Sequence, residues 1–159
     1  MYPRVILAGA VLVLASGLAH ADDCHVTVAA NDAMQFDHRE LLVPSGCTEI
    51  ELTLVHTGKA AVAGLAHNLV VARSRDVAAI ASAGMAAGSA HHYQPPGDAR
   101  VIAATPLVAG GNSATVRFDA AALAAGGDFA FFCSVPGHTA MMKGRLVLRG
   151  ANPRETASP

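Results

Sequence analysis

The apolar residues of this chain recur at every second position, in short runs separated by clusters of proline and glycine. Successive strand side chains point to opposite faces, so a period of two buries one face and leaves the other in water. Val26, Val28 and Ala30 share a face. In the run from Thr48 to His56, Ile50, Leu52 and Leu54 share a face, and His56 falls on it too. Asn68 to Arg73, Arg100 to Ala104, Ala114 to Phe118, Phe129 to Cys133 and Lys143 to Arg149 are the other strand candidates. Pro44-Ser45-Gly46, Pro95-Pro96-Gly97, Gly110-Gly111-Asn112 and Gly126-Gly127-Asp128 supply the turns between them. Such punctuation predicts an all-β chain, a sandwich or barrel with Greek-key connections. One segment departs from it. Asp76 to Ala87 is mostly alanine with Val77, Ile80 and Met85, which predicts one short inserted helix. Ser74 or Asp76 is its expected cap and Gly88 its expected end.

The first residues follow a different rule. Arg4 precedes an uncharged, mostly apolar run of 14 residues, Val5 to Leu18, and Ala19-His20-Ala21 follows. A membrane-spanning helix needs roughly 20 apolar residues. The run is therefore read as a secretory leader, residues 1–21, cut before Asp22. The domain is expected over residues 22–149, with 150–159 a tail that has no apolar period. No second long apolar run follows, so no membrane span is expected in the mature chain. Without Arg4 the mature chain holds ten basic and twelve acidic residues. That balance argues against nucleic acid as a partner, because phosphate binding needs a basic face. Export places the chain in an oxidising compartment where a disulfide persists.

Three cysteines are an odd number. In an exported chain that suggests one disulfide and one thiol with another use, and three pairings are open. Cys24 opens the first strand, Cys47 sits in a turn, and Cys133 closes Phe129-Ala130-Phe131-Phe132. Cys133 is followed by Ser134-Val135-Pro136-Gly137-His138-Thr139-Ala140-Met141-Met142. A thiol, an imidazole and a thioether thus lie on one hairpin loop. Soft thiolate, borderline imidazole and weak thioether are the donors of a blue-copper centre, which needs a second histidine from elsewhere. The rival readings are an inert buried thiol, a zinc site, which rarely uses thioether, and a cysteine nucleophile, for which supporting groups are lacking nearby. Met142 alone reads equally as core filler.

The run Cys133 to Gly144 resembles the copper loop of the azurins, with their Cys-x4-His-x3-Met spacing. The resemblance extends over Asp22 to Arg149 and includes Asn31-Asp32-Ala33-Met34-Gln35-Phe36, Ala66-His67-Asn68, Gly84-Met85-Ala86 and Arg100-Val101-Ile102-Ala103. It implies a cupredoxin-like fold and one type 1 copper. It implies His67, Cys133 and His138 as the equatorial ligands, Met142 as the long axial donor, and the Ala66 carbonyl, at a glycine position of the family, as a weak ligand. It pairs Cys24 with Cys47. It gives the Asn68 backbone a hydrogen bond to the ligand sulfur, and makes His56 a buried histidine. Leu69 stands where azurins carry a buried tryptophan, Val135 where an aromatic is common, Ala104 at a surface histidine and Ala60 beside the apolar patch. His91-His92 is extra and reads as a solvated loop pair.

The function so implied is a one-electron carrier cycling Cu(I)/Cu(II), not an enzyme. Its partners would be a cytochrome c or a periplasmic reductase or oxidase. They would dock near His138 on a patch of Met34, Leu65, Met85, Val135 and Met141. A copper-binding protein for sequestration or delivery is the alternative. A copper enzyme would need an open coordination position or a second copper site, and His91-His92 is the one other histidine pair in sight.

Overall fold

The computed structural model describes residues 24–59, 65–124 and 127–149. The expected leader, the tail and Ala60 lie outside the described residues. Among these residues are nine strands: β1 (His25–Asn31), β2 (Gln35–Phe36), β3 (Glu40–Pro44), β4 (Glu49–His56), β5 (Val70–Arg73), β6 (Val101–Ala104), β7 (Ser113–Asp119), β8 (Phe129–Phe132) and β9 (Lys143–Arg149). One sheet has the order β2-β1-β4-β7 and the other β3-β9-β8-β5-β6. β1 pairs parallel with β4 and β3 parallel with β9, while the remaining pairs are antiparallel.

The alternation predicted from sequence is what packs the sheets together. Along β4, Ile50, Leu52, Leu54 and His56 are buried while the residues between them are half-buried. Val28 and Ala30 of β1 lie beside them in register. These side chains meet Val71, Phe129, Phe131 and Leu146 of the other sheet in one apolar core. β8 is buried on both faces, and the reason is the helix α1 (Val77–Ala87). Val77 and Ile80 cover the outward side chains Val70, Ala72, Ala130 and Phe132.

Several boundaries depart from expectation. β2 and β3 were not predicted, because two residues carry no period and Glu40–Pro44 carries little of one. The run beginning at Asn68 becomes a strand only at Val70, and β8 ends before Cys133. A 3-10 turn, Ser74–Asp76, precedes α1, and neither Ser74 nor Asp76 makes a side-chain cap bond to the helix. Asp76 already has helical dihedrals there, whereas a side-chain cap needs an extended backbone. Gly88 does end the helix, at φ 76°, with its N–H bonded to Gly84 O. A further short helix, α2 (Ala121–Ala124), follows β7. The Cys24–Cys47 disulfide is formed, tying the start of β1 to the segment between β3 and β4.

Candidate metal centre

His67, Cys133 and His138 converge at one end of the sandwich. One potential donor atom from each lies within 4.8 Å of the others, and all three residues are buried. Among the described residues this is the one group of three histidine, cysteine or acidic side chains close enough to share a metal. His67 Nδ1 is 3.2 Å from His138 Nδ1, and Cys133 Sγ is 3.7 Å from His138 Nδ1.

The His67 backbone is fixed from behind. Its N–H donates to Val108 O and its carbonyl accepts from Val108 N–H. Two residues on, Leu69 N–H donates to Thr105 Oγ1 and Leu69 O accepts from Thr105 N–H. The ring is fixed as well: Nε2 lies 3.0 Å from Asn31 O. A carbonyl only accepts, so the proton sits on Nε2 and the Nδ1 lone pair faces the other donors. Ala66, immediately before, is buried.

The loop from Cys133 to Met142 holds itself. Cys133 N–H donates to Met142 O, and Met142 N–H donates to His138 O. His138 N–H closes a turn on Val135 O, with Pro136 and Gly137 between. Gly137 is at φ 84°, the left-handed third position of a type II turn, where glycine is favoured. Thr139 Oγ1 donates to Cys133 O. Met142 is fully buried in the main core.

Asn68 joins the two halves. Its Oδ1 accepts from Ser134 N–H at 2.8 Å, and its Nδ2 donates to Ser134 Oγ at 2.8 Å and to His92 O at 2.7 Å. Ser134 Oγ in turn donates to Tyr93 O. His92 and Tyr93 are both held at positive φ, 56° and 54°, which bulky residues seldom adopt. The exposed pair His91-His92 therefore acts here through the His92 backbone carbonyl, as a brace. That role, with those of Thr105 and Ser134, was not visible in the sequence, because every partner is distant along the chain.

Burial sets the proton inventory. It holds His67 down at about 4, because a desolvated imidazolium is penalised. It pushes the Cys133 thiol up to about 11, an effect opposed by the backbone N–H groups of Asn68 and Val135 at its sulfur. The metal-free centre at neutral pH therefore holds a neutral His67 imidazole and a protonated thiol, and a metal must displace the thiol proton. His56 is buried beside His67, ring centroids 4.6 Å apart, with Nδ1 3.2 Å from Val108 O. Its Nε2 is 3.2 Å from Asp32 Oδ1 without hydrogen-bond alignment.

The donor set fits copper. One thiol and two imidazoles, all buried and facing one another, match the soft and borderline preferences of that ion. The expected apolar surface is corrected in one respect. Met85 and Met141 are exposed, at 57% and 44%, and Met34 and Leu65 are half-buried, but Val135 is buried in the core. Leu69 is fully buried, as a residue replacing a core aromatic should be.

Residues 22–149 match the family model of copper binding proteins described as the plastocyanin/azurin family. The chain is 47% identical over 125 residues to azurin-2 of Alcaligenes xylosoxydans xylosoxydans, covering 79% of this chain and 97% of that protein. It is 41% identical over 148 residues to the azurin of Bordetella pertussis, covering 93% of this chain and 99% of that one. Its fold is similar to the solved azurin Az-iso2 of the obligate methylotroph Methylomonas sp. strain J, with a TM-score of 0.77 and 40% identity. That match covers 79% of this chain and 98% of the other.

Proposed function

The chain belongs to the plastocyanin/azurin family of copper-binding proteins, and on that premise we propose how its residues serve a blue-copper electron carrier. His67, Cys133 and His138 are the strong ligands, Met142 the long axial donor, and the Ala66 carbonyl a weak one. The observation that carries the reading is the convergence of two imidazoles and one thiol, all buried, within 4.8 Å. When bound, copper supplies a one-electron Cu(I)/Cu(II) couple.

The chain's own part is to keep the donors still. Asn31 O orients the His67 ring, the Val108 bridge holds its backbone, and the Asn68–Ser134 pair locks the loop to it. The N–H groups of Asn68 and Val135 stabilise negative charge on Cys133 Sγ. A centre held this way has little to rearrange when its charge changes, which suits electron transfer and offers no open position for catalysis. We read the chain accordingly as a carrier and not an enzyme.

Residues 1–21 serve as an export leader, 22–149 form the domain and 150–159 a tail, which puts the carrier in the periplasm. Electrons pass at His138, on the same loop as the exposed thioether of Met141. Weak redox encounters bury small interfaces, which fits a surface of this limited extent. A cytochrome c or a periplasmic reductase or oxidase is the partner class. The alternative, sequestration or delivery of copper, uses the same donors. Mixing copper-loaded protein with an apo copper acceptor separates the two. A carrier keeps its copper and cycles reversibly by voltammetry; loss of copper to the acceptor without competent cycling supports delivery.

A further inference from the structure

Beside the ligand loop, the start of the second sheet's parallel pair carries two cations that no carboxylate neutralises among the described residues. Arg39 immediately precedes β3, and its Nη1–H donates to Met141 O at 2.9 Å and reaches Lys143 O at 3.5 Å. Lys143 opens β9. Both side chains are exposed, and neither has an ion pair there. The next cation on the strand differs: Arg145 is flanked by Glu40 at 3.5 Å and Asp128 at 4.0 Å. Arg39, Lys143 and Arg145 line a cleft of about 350 Å³ that also takes in Ser74 and Asp128.

We propose that Arg39 and Lys143 form a cationic docking point beside the electron port, engaging a redox partner whose own docking face carries carboxylates. The inference rests on the reading of the Met141–His138 edge as that port. Arg39 is anchored by two backbone carbonyls, so its guanidinium is ordered before a partner arrives, and the rest of its fork suits a carboxylate. Its bond to Met141 O sets the charge on the same surface as an exposed thioether. An apolar contact with a charged rim is the ordinary anatomy of a specific interface. The mature chain is net negative by sequence, ten basic against twelve acidic residues. The pair therefore acts on final approach, within a Debye length of roughly 10 Å, and selects orientation as well as rate.

The test uses probes of opposite charge. Copper-loaded, reduced protein is oxidised by hexacyanoferrate(III), one electron passing from Cu(I) to give Cu(II) and hexacyanoferrate(II), and in parallel by cationic tris(phenanthroline)cobalt(III). Arg39→Gln with Lys143→Gln is expected to slow the anionic reaction about tenfold at low salt. The difference should fade at high salt, with the cationic probe no slower and the absorption spectrum and potential unchanged. Arg39→Lys should keep most of the parent rate, because it keeps the charge. A second readout needs no electron transfer. The redox-inert, paramagnetic anion hexacyanochromate(III) should broaden the amide signals of Arg39, Met141 and Lys143 in the Cu(I) protein, and not in the double variant. Equal rates with hexacyanoferrate(III), or broadening centred elsewhere, overturns the docking point. Met141→Glu separates that failure from failure of the port. If it slows the anionic reaction while the double variant does not, the docking point alone falls. If it changes neither probe's rate, the port reading falls with it.

Discussion

Replacing Asn68 by leucine should remove the connection between the two halves of the metal centre while keeping the branched outline of the side chain. Asn68 is fully buried and makes three hydrogen bonds of 2.7 to 2.8 Å. Without it, Ser134 N–H loses its acceptor in a site closed to water, at a cost of about 1–3 kcal/mol. His92 O also loses its donor, but His92 is exposed and water can substitute, so that loss is about 1 kcal/mol. Ser134 Oγ keeps its bond to Tyr93 O. The sum is about 2–4 kcal/mol, a large part of the roughly 5–15 kcal/mol that holds a domain folded. The assay is the urea midpoint of metal-free protein, with the slope checked for constancy. Ser134→Ala is the control: it deletes the hydroxyl but leaves the Ser134 N–H to Asn68, and should cost about 1 kcal/mol. A loss below about 1 kcal/mol for Asn68→Leu, or one equal to that of Ser134→Ala, would refute the reasoning.

Other outcomes follow from the same geometry. His67 titrates near 4 in the folded chain against 6.5 unfolded, so the unfolded state takes up its proton first as pH falls. Its contribution is complete above pH 6.5 and drains away towards pH 4, up to about 3 kcal/mol, and a metal-free His67→Gln variant should lose that slope in urea midpoints across the window. Reducing Cys24–Cys47, which closes a separation of 23 residues, should cost about 3 kcal/mol of stability, read as a lower urea midpoint in the Cys24→Ser, Cys47→Ser protein. Met142→Leu should keep copper and raise the potential measured by voltammetry, since a weak donor to Cu(II) is lost; an unchanged potential would leave Met142 as core alone.

The strands that bury one face were readable because the period of β4 is written in Ile50, Leu52, Leu54 and His56, and its burial follows that period. β8 was readable as a strand, but its burial on both faces depends on α1, which lies elsewhere in the chain. β2 and β3 exist through pairing with β1 and β9 rather than through pattern. At the metal centre, Cys133, His138 and Met142 were legible as a group because spacing alone sets them on one hairpin loop. His67 came only through resemblance, since nothing local marks it against seven other histidines. The supporting contacts at Thr105, Ser134 and His92 join residues distant in sequence, and no local rule announces them. Val135 was placed on the docking patch only through the resemblance, whereas this loop folds back and buries it in the core.

The central claim is that the Cys133 thiolate and two imidazoles bind copper together. An absorption spectrum of the mature protein after one equivalent of Cu(II) tests it most directly, alongside Cys133→Ser. The account predicts an intense thiolate-to-copper band in the red for the parent and none for the variant. A folded parent, its disulfide intact, that shows no such band would contradict it, as would a variant that keeps one.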